Sequence, residues 1–173
     1  MVEMTESPSA GIAAPNDEHH GCYLIRSLQG VEGGLCDTFF SRLRRSDLRW
    51  RFGGPRTSGA CLLPCRNATL RGMAFAACSV SGDVLGILNL EYVDPSTAEI
   101  ALIVRWDAKR RGIGRALISH VMRWSKAVGL KRLVGHAMPD NKAMLRLAIA
   151  VGFRRAGGDQ ALIELSWLTG AEA

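Results

Sequence analysis

Between a predicted strand and a predicted helix, the chain reads KRRGIGRAL at residues 109–117. The two glycines allow the backbone to approach a ligand closely, and the first N–H groups of a helix have no acceptor inside that helix. Those N–H groups and the helix dipole attract anions, and the flanking lysine and arginines add positive charge. The stretch predicts a cradle for phosphate or pyrophosphate. The structural alternative is a tight strand-to-helix turn with a solvated basic rim.

Two other nucleotide-binding motifs do not fit this stretch. The Rossmann fingerprint G-x-G-x-x-G needs a third glycine where the chain has Leu117. A Walker A loop needs Gly-Lys followed by Ser or Thr, which the residues after Gly112 do not supply. Neither Rossmann-type dinucleotide binding nor P-loop nucleotide binding is therefore predicted.

The segments around the glycine-rich stretch predict alternating elements. Apolar runs at residues 70–80 and 84–92 are separated by Ser-Gly-Asp, a hairpin signature, and a turn leads into a third run at 98–104. These three runs predict an antiparallel meander. After it, residues 112–128 predict a helix and residues 131–138 a strand. A second helix, capped by Asp140 or Asn141, ends at Gly152, and residues 161–167 predict a last strand.

The N-terminal part divides at about residue 21. Residues 1–21 are polar, contain prolines and show no apolar period, so they predict a flexible tail. Residues 22–26 predict a strand, residues 31–43 a helix, and residues 46–52 a second helix capped by Ser46. Residues 22–173 are therefore expected to form one domain, an α+β or mixed α/β sheet with helices on both faces.

Composition limits the class of protein. The 173 residues are 47% hydrophobic, and 22 basic against 16 acidic side chains give a net charge of +6, as in one globular domain with a basic excess. No apolar run reaches the roughly 20 residues of a membrane-spanning helix, and the first residues do not resemble a secretory signal. We therefore expect a soluble, cytoplasmic protein without a membrane partner. With two tyrosines and no helix-turn-helix or RNA-stacking motif, nucleic-acid binding is disfavoured.

Cysteine spacing does not predict a disulfide framework or a metal site. The five cysteines are an odd number, scattered through apolar stretches. Cys61 and Cys65 are spaced like half of a zinc site, but no second Cys or His pair follows at zinc-like spacing. No metal is expected.

The glycine-rich stretch resembles motif A, [QR]-x-x-G-x-[GA], of the GNAT superfamily of acetyl-CoA-dependent N-acyltransferases. Here the motif spans residues 109–114, with Lys109 in place of Gln or Arg. A second GNAT landmark, an Asn that opens a helix ending in Gly-Phe, appears as Asn141 and residues 152–153. Four segments look like the GNAT domain of bacterial Pat-type protein lysine acetyltransferases: FFSRL at 39–43, RWRFGGPR at 49–56, AEIALIVR at 98–105 and NKAMLRLA at 141–148.

The resemblance implies the GNAT fold, a twisted, mixed and mostly antiparallel sheet between helices, with acetyl-CoA as co-substrate. It places backbone groups of Ile103 and Val104 beside the pantetheine, where one N–H would polarise the thioester. Asn141 and Arg146 would contact the CoA arm. The pyrophosphate would lie against motif A and the residue that follows it, which comprise Lys109, Arg110, Arg111, Gly112, Ile113, Gly114 and Arg115.

Catalysis requires a base, because an amine acceptor is mostly protonated at neutral pH. The Pat-type resemblance places the catalytic glutamate at Glu99, on the strand before the phosphate loop. Glu91, across the predicted hairpin, is the second candidate, and the strand register decides which of the two faces the cleft. Many GNAT enzymes carry a tyrosine as general acid where this chain has Ala148, so His136 is the candidate proton donor.

The expected reaction is acetyl transfer from acetyl-CoA to a primary amine, a protein lysine among the candidates, by direct attack in a ternary complex. One alternative is a small-molecule amine or amino-acid N-acetyltransferase. Another is a catalytically weak acyl-CoA-binding sensor domain, which the missing tyrosine favours. The loop at 53–67 and the arginines between Arg42 and Arg56 are expected to form the acceptor groove and a basic face beside it. Dimers of GNAT proteins often use C-terminal edge strands, which leaves a homodimer open.

Overall fold

The computed structural model of the chain describes residues 18–28, 33–52 and 72–170. The strands of this part are β1 (Glu18–His19), β2 (Tyr23–Leu28), β3 (Gly72–Ser79), β4 (Val84–Tyr92), β5 (Thr97–Val104), β6 (Arg132–Ala137), β7 (Arg154–Gly158) and β8 (Ile163–Leu168). Its helices are α1 (Gly33–Ser41), α2 (Arg45–Phe52), α3 (Ile113–Ala127) and α4 (Lys142–Ala150). The expected acceptor loop at 53–67, with Arg56, Cys61 and Cys65, lies outside the described residues.

The strands form one sheet in the order β1-β2-β3-β4-β5-β6-β8-β7. The β5–β6 pair is parallel, whereas the other neighbouring pairs in the described sheet are antiparallel. The three apolar runs of the sequence are β3, β4 and β5, so the predicted meander is confirmed. The predicted mixed, mostly antiparallel sheet is confirmed as well.

Helices cover both faces of the sheet, as the alternating apolar pattern of the strands requires. On one face, α3 and α4 pack against side chains such as Phe75, and Leu117 of α3 is fully buried there. On the other face, Phe39 of α1 packs with Ile87 of β4. None of the helices in the described ranges combines the length and apolar content needed to cross a bilayer.

Two strands were not predicted from the sequence. All five residues of β7 are exposed, so this edge strand has no alternating apolar pattern that could reveal it. β1 lies inside the range assigned to the tail, and it pairs with β2 through Glu18 opposite Ile25. Ordered structure therefore begins at least as early as residue 18, before the predicted domain boundary at residue 22.

The start of α2 also differs from the prediction. The helix begins at Arg45, and the side chain of Asp47, rather than that of the predicted cap Ser46, accepts a hydrogen bond from the Arg44 N–H at 3.1 Å. An acidic side chain that reaches back to the N-cap amide from the first helical turn satisfies one of the free N–H groups there. The predicted cap of α4 is confirmed, because the Asn141 side chain accepts from the Met144 N–H.

Candidate active site

A cleft opens where the two parallel strands separate. Pairing between β5 and β6 extends only from Thr97 opposite Arg132 to Glu99 opposite Val134. Beyond Glu99 the strands diverge, and a cavity of about 910 Å³ occupies the gap. A cavity of this size lies within the range of ligand and cofactor sites in proteins. The cleft therefore defines the candidate active site.

The cavity is enclosed by segments that are distant in sequence. It is lined by the second half of β5, the loop before α3, the first turn of α3, and α4. α2 closes a further side through Asp47, Trp50 and Arg51. Predicted CoA-contact residues from motif A, β5 and α4 are thus brought together in one space, which sequence spacing alone does not ensure.

The backbone of β5 presents hydrogen-bonding groups to this cavity at alternate residues. The Arg105 N–H donates to the Leu85 carbonyl at 2.9 Å, so these two residues form a hydrogen-bonded antiparallel pair. By alternation along the ladder, Ile103 directs its N–H and C=O toward Ile87 of β4. The backbone groups of Leu102 and Val104 point the other way, into the gap left by β6. Of the two predicted residues, Val104 is therefore the one whose backbone is available to a ligand.

The loop before α3 has the backbone conformation that an anion cradle needs. Gly112, which precedes the first residue of α3, has φ 81°, and Arg110 has φ 61°. The first intrahelical bond of α3 runs from the Ala116 N–H to the Gly112 carbonyl, which leaves the N–H groups of the first turn without an intrahelical acceptor. These N–H groups lie at the cavity wall and can bind an anionic group.

The basic side chains of motif A, and that of Arg115 directly after it, make different contacts. Arg110 and Arg115 are exposed and line the cavity. Arg111 does not line it, because its guanidinium contacts the Cys22 Sγ at 3.9 Å. Lys109 lines the cavity, but its Nζ donates a hydrogen bond to Asp47 of α2.

The turn that leads into this loop is fixed by an ion pair. The buried Arg105 donates from its Nε to the Asp107 carboxylate at 2.6 Å and from a terminal nitrogen to the Val84 carbonyl at 3.4 Å. The hydrogen bond from Arg105 holds the pKa of the Asp107 carboxyl below its ordinary value. The turn at Trp106–Ala108 is thereby tied to the end of β5.

The α4 residues predicted to contact CoA also line the cavity. Asn141 caps α4, with its side-chain oxygen 3.2 Å from the Met144 N–H, and it also lines the cavity. Arg146 is exposed at the cavity, and its Nε donates to the Lys142 carbonyl at 3.3 Å. Ala148, at the position of the expected tyrosine, is buried and lines the cavity without a hydroxyl group.

The two candidate glutamates share one face of the sheet. Glu91 of β4 lies directly opposite Glu99 of β5, and side chains of directly opposed residues project to the same side. The expectation that the register would select one of them is therefore wrong. A small cavity of about 100 Å³ adjoins both carboxylates and shares Arg51 and Ala101 with the larger cavity.

Glu99 is connected to the larger cavity through the predicted histidine. The His136 Nδ1 lies 3.1 Å from the Glu99 Oε1, and His136 lines the larger cavity. Glu91, by contrast, forms no hydrogen bond or ion pair with any residue in the described ranges. The structure thus brings together Glu99, Glu91 and His136, all three of the predicted catalytic side chains.

Part of the expected basic face is paired with local partners. Arg42 pairs with Asp83 at 2.9 Å, and Arg49 pairs with Asp140 at 2.8 Å. The Arg44 guanidinium lies 3.7 Å from the centroid of the Trp106 ring. Arg42 and Arg49 are therefore paired with carboxylates, whereas Arg44 keeps its positive charge against an aromatic ring.

The contribution of α2 was not found from the sequence. Asp47, Trp50 and Arg51 line the larger cavity, and an Arg51 terminal nitrogen donates to the Asn89 side chain at 3.2 Å. Trp50 and Arg51 belong to the Pat-like segment at 49–56, but the resemblance gave them no place in the larger cavity, and the residues that α2 contacts lie far away in the chain. Within the ranges that the structure describes, no group of three or more His, Cys, Asp or Glu side chains is arranged to hold a metal ion.

Several solved structures share this fold at low sequence identity. The GNAT domain of Pat from S. lividans has 16% identity and a TM-score of 0.77, covering 94% of this chain and 99% of that one. The ribosomal-protein-S5-alanine acetyltransferase from Vibrio fischeri has 16% identity, a TM-score of 0.73 and coverage of 90% and 98%. Spermidine N-acetyltransferase from Vibrio cholerae, solved with CoA and spermine, has 18% identity, a TM-score of 0.69 and coverage of 87% and 97%.

Sequence comparison identifies the family independently of these structures. Residues 43–153 match the acetyltransferase (GNAT) family. The matched range contains the meander, the glycine-rich loop, α3, α4 and the cleft between β5 and β6. The chain therefore belongs to the acetyltransferase (GNAT) family and is an acetyl-CoA-dependent N-acetyltransferase.

Proposed function

We propose that this enzyme transfers acetyl from acetyl-CoA to a primary amine by direct attack in a ternary complex, with Glu99 as the general base. The observation that carries the proposal is the position of the Glu99 carboxylate. It lies at the last paired residue before β5 and β6 separate, borders the small cavity, and is hydrogen-bonded to His136 of the larger one. A base at this point connects an acceptor pocket with the space for a thioester.

The larger cavity has the features that acetyl-CoA requires. The free N–H groups of the first turn of α3, with Arg110 and Arg115, offer positive charge to the pyrophosphate. The outward-facing backbone of Leu102 and Val104 can pair with the amide groups of the pantetheine as a neighbouring strand would. Asn141 and Arg146 also line this cavity, where they can contact the CoA arm.

The reaction removes two protons from the acceptor nitrogen and adds one to the CoA sulfur. An ammonium group loses one proton to solvent before attack, and the attacking nitrogen loses a second as the C–N bond forms and the C–S bond breaks. Glu99 accepts a proton from the amine, directly or through water. The CoA thiolate takes up one proton, for which His136 is the candidate donor because Ala148 has no acidic hydrogen. The products are an N-acetyl amine and free CoA.

Polarisation of the thioester is assigned to the β5 backbone. The Val104 N–H is directed into the gap between the strands, where it can donate to the carbonyl oxygen as negative charge develops on it. Ile103, whose N–H is directed toward β4, is not given this role. Its buried side chain instead packs in the core beneath α1.

The acceptor is proposed to be a primary amine that carries positive charge in solution. Glu91 and Glu99 place two carboxylates beside a small cavity, and their negative potential attracts an ammonium group. Proteins that share the fold act on different amines, as the names of the S5-alanine and spermidine acetyltransferases state. A protein lysine and a small-molecule amine both meet the chemical requirement.

The proposal is tested by measuring acetyl-CoA-dependent release of free thiol against a panel of acceptors. The panel contains monoamines, diamines, amino acids and lysine-containing proteins, and mass spectrometry identifies the acetylated product. We expect turnover with at least one primary amine and none with its tertiary analogue. Release of thiol without an acetylated amine would contradict the proposal.

The panel also separates the two acceptor classes. Turnover with free diamines and amino acids but not with proteins would assign a small-molecule substrate. Turnover confined to lysine side chains in folded proteins would assign the Pat-type activity that the sequence resemblance implies.

A further inference from the structure

We infer that Lys109 is a positioning residue that ties α2 to the phosphate loop through Asp47, rather than a ligand of the CoA phosphates. The inference rests on the proposed function, because it concerns how the acceptor side of the same cleft is held. It differs from the expectation that Lys109, the first residue of motif A, contacts the pyrophosphate of CoA.

The Asp47 carboxylate is the buried partner in this contact. Asp47 is 3% exposed, and both of its oxygens are used: one accepts from the Arg44 N–H at 3.1 Å, and the other accepts from the Lys109 Nζ. A buried carboxylate that loses its cation is strongly destabilised. The contact between the Asp47 carboxylate and the Lys109 ammonium group therefore stabilises the fold whether or not CoA is bound.

The ammonium group of Lys109 is held between two side chains of α2. Besides the hydrogen bond to Asp47, it lies 5.3 Å from the centroid of the Trp50 ring, a distance at which a cation is attracted to the ring face. Arg110 and Arg115 have no such engagement, since neither forms an ion pair with a residue in the described part of the chain. Among the described basic residues at 109–115, those that line the cavity without an ion-pair partner are thus Arg110 and Arg115.

The contact between Lys109 and Asp47 affects the cleft because α2 carries residues that line both cavities. Trp50 lines the larger cavity, and Arg51 lines both the larger cavity and the small one beside Glu91 and Glu99. α2 thus forms a wall of the acceptor region, and Lys109 fixes it to the loop whose N–H groups face the phosphates. Loss of this contact releases the acceptor wall while leaving the helix N-terminus and arginines of the phosphate site in place.

The test compares two variants that each remove one positive charge from the same loop, Lys109→Met and Arg115→Gln. For Lys109→Met we expect the KM of the acceptor to rise about tenfold, within the usual range of coupling between sites, with little change in the Kd of acetyl-CoA. For Arg115→Gln we expect the Kd of acetyl-CoA to rise by about tenfold, the effect of losing one hydrogen bond to a charged group. Lys131→Gln, which removes an exposed lysine away from the cleft, is the charge control.

The double variant Asp47→Leu/Lys109→Met distinguishes loss of the Lys109–Asp47 contact from a general loss of folding. Replacing both members of a buried ion pair by apolar side chains is often neutral for stability, whereas removing one member is costly. We expect the double variant to be more stable than Lys109→Met and to recover part of its acceptor KM. The conservative Lys109→Arg variant should keep most of the wild-type acceptor KM, because it retains a cation for Asp47.

Hydrogen exchange of α2 gives a readout that does not need turnover. In Lys109→Met the amides of residues 45–52 should exchange faster than in wild type, and in Arg115→Gln they should not. This result would support the inference even if no acceptor were acetylated. Unchanged α2 exchange in Lys109→Met, or a loss of acetyl-CoA affinity equal to that of Arg115→Gln, would overturn it.

Discussion

At the scale of single residues, the cleft depends on a few side chains with separable roles. Glu99 is held by His136, whereas Glu91 lies opposite it with no partner in the described ranges. Two like charges directly opposite on adjacent strands destabilise a sheet. Retaining both carboxylates beside a cavity is consistent with a cationic acceptor that lies against them.

Replacement of Glu91 separates attraction of the acceptor from proton transfer. In Glu91→Gln we expect the KM for a cationic amine to rise several-fold while kcat is largely retained, because the base Glu99 is intact and only the attracting charge is lost. Steady-state kinetics with the best amine of the panel measures both constants. A collapse of kcat with unchanged KM would instead make Glu91 the base.

Gly112 adopts a left-handed backbone conformation in the phosphate loop, which glycine accommodates more easily than other residues do. Its φ is 81°, and a Cβ placed there would meet only the Tyr23 hydroxyl, at 4.0 Å, so the cost of a side chain is backbone strain rather than collision. We expect Gly112→Ala to lower the free energy of unfolding by about 1 kcal/mol and to weaken acetyl-CoA binding. Thermal unfolding and calorimetry measure the two effects.

Gly34→Ala provides the matched control. This residue lies in α1 without a positive φ, and no atom of the described residues lies within 4 Å of a Cβ placed there, so alanine should stabilise the helix slightly. A Tm for Gly112→Ala equal to that of Gly34→Ala would contradict the role given to the left-handed conformation.

At the scale of elements, β1 is attached to α3 by one acidic side chain. The Glu18 carboxylate accepts from the buried His120 Nδ1 at 2.7 Å and from Arg123, with His20 3.3 Å away. Partial burial raises the pKa of Glu18, but the hydrogen bond from His120 and the charge of Arg123 outweigh it, and the net shift is downward from the ordinary 4.5. The ionised form is therefore the one that binds α3.

The lowered pKa fixes the direction of a pH effect. A carboxyl whose pKa is lower in the folded state stabilises the fold above its unfolded pKa, and this contribution disappears as the pH falls through the folded value. We expect Glu18→Gln to cost roughly 1 kcal/mol at pH 7, which lowers Tm by roughly 2–4 °C. Below the folded pKa of Glu18, the two proteins should unfold at the same temperature. An equal Tm at pH 7 would contradict the attachment.

The helices and strands that bury a patterned apolar face could be predicted from the sequence, whereas β1 and β7 could not. The meander, α3 and α4 follow from apolar periodicity and caps, because each buries a patterned face. β7 has no buried residue and β1 has two residues, so neither has a pattern to detect. The site residues on β5 and motif A were predictable, but the partner of Lys109 was not, since Asp47 is 62 positions away and meets it only through folding.

At the scale of the whole molecule, the net charge of +6 includes basic side chains that are bound to carboxylates and others that are not. Arg42, Arg49 and Lys109 are bound to carboxylates, and Arg105 is bound to Asp107. Among the described residues that line the larger cavity, the exposed cations outside ion pairs are Arg110, Arg115 and Arg146. These three arginines are available to an anionic co-substrate.

This distribution predicts a salt dependence of acetyl-CoA binding. Because Arg110 and Arg115 are exposed, salt should screen their attraction to the phosphates, and the Kd of acetyl-CoA should rise several-fold between low and high ionic strength. In Arg110→Gln/Arg115→Gln the rise should be smaller. Calorimetric titrations over a series of NaCl concentrations measure the slope, and equal slopes for the two proteins would contradict this placement of the phosphates.

The most direct test is turnover of wild type and Glu99→Gln with saturating acetyl-CoA and the best amine, together with the Kd of acetyl-CoA for each. Removal of a general base should lower kcat by about 10²–10⁴-fold, with the Kd little changed because the Glu99 side chain does not line the cavity assigned to CoA. A Glu99→Gln enzyme that keeps its kcat would contradict Glu99 as the base. Tight acetyl-CoA binding by wild type without transfer to any amine would instead favour the sensor alternative.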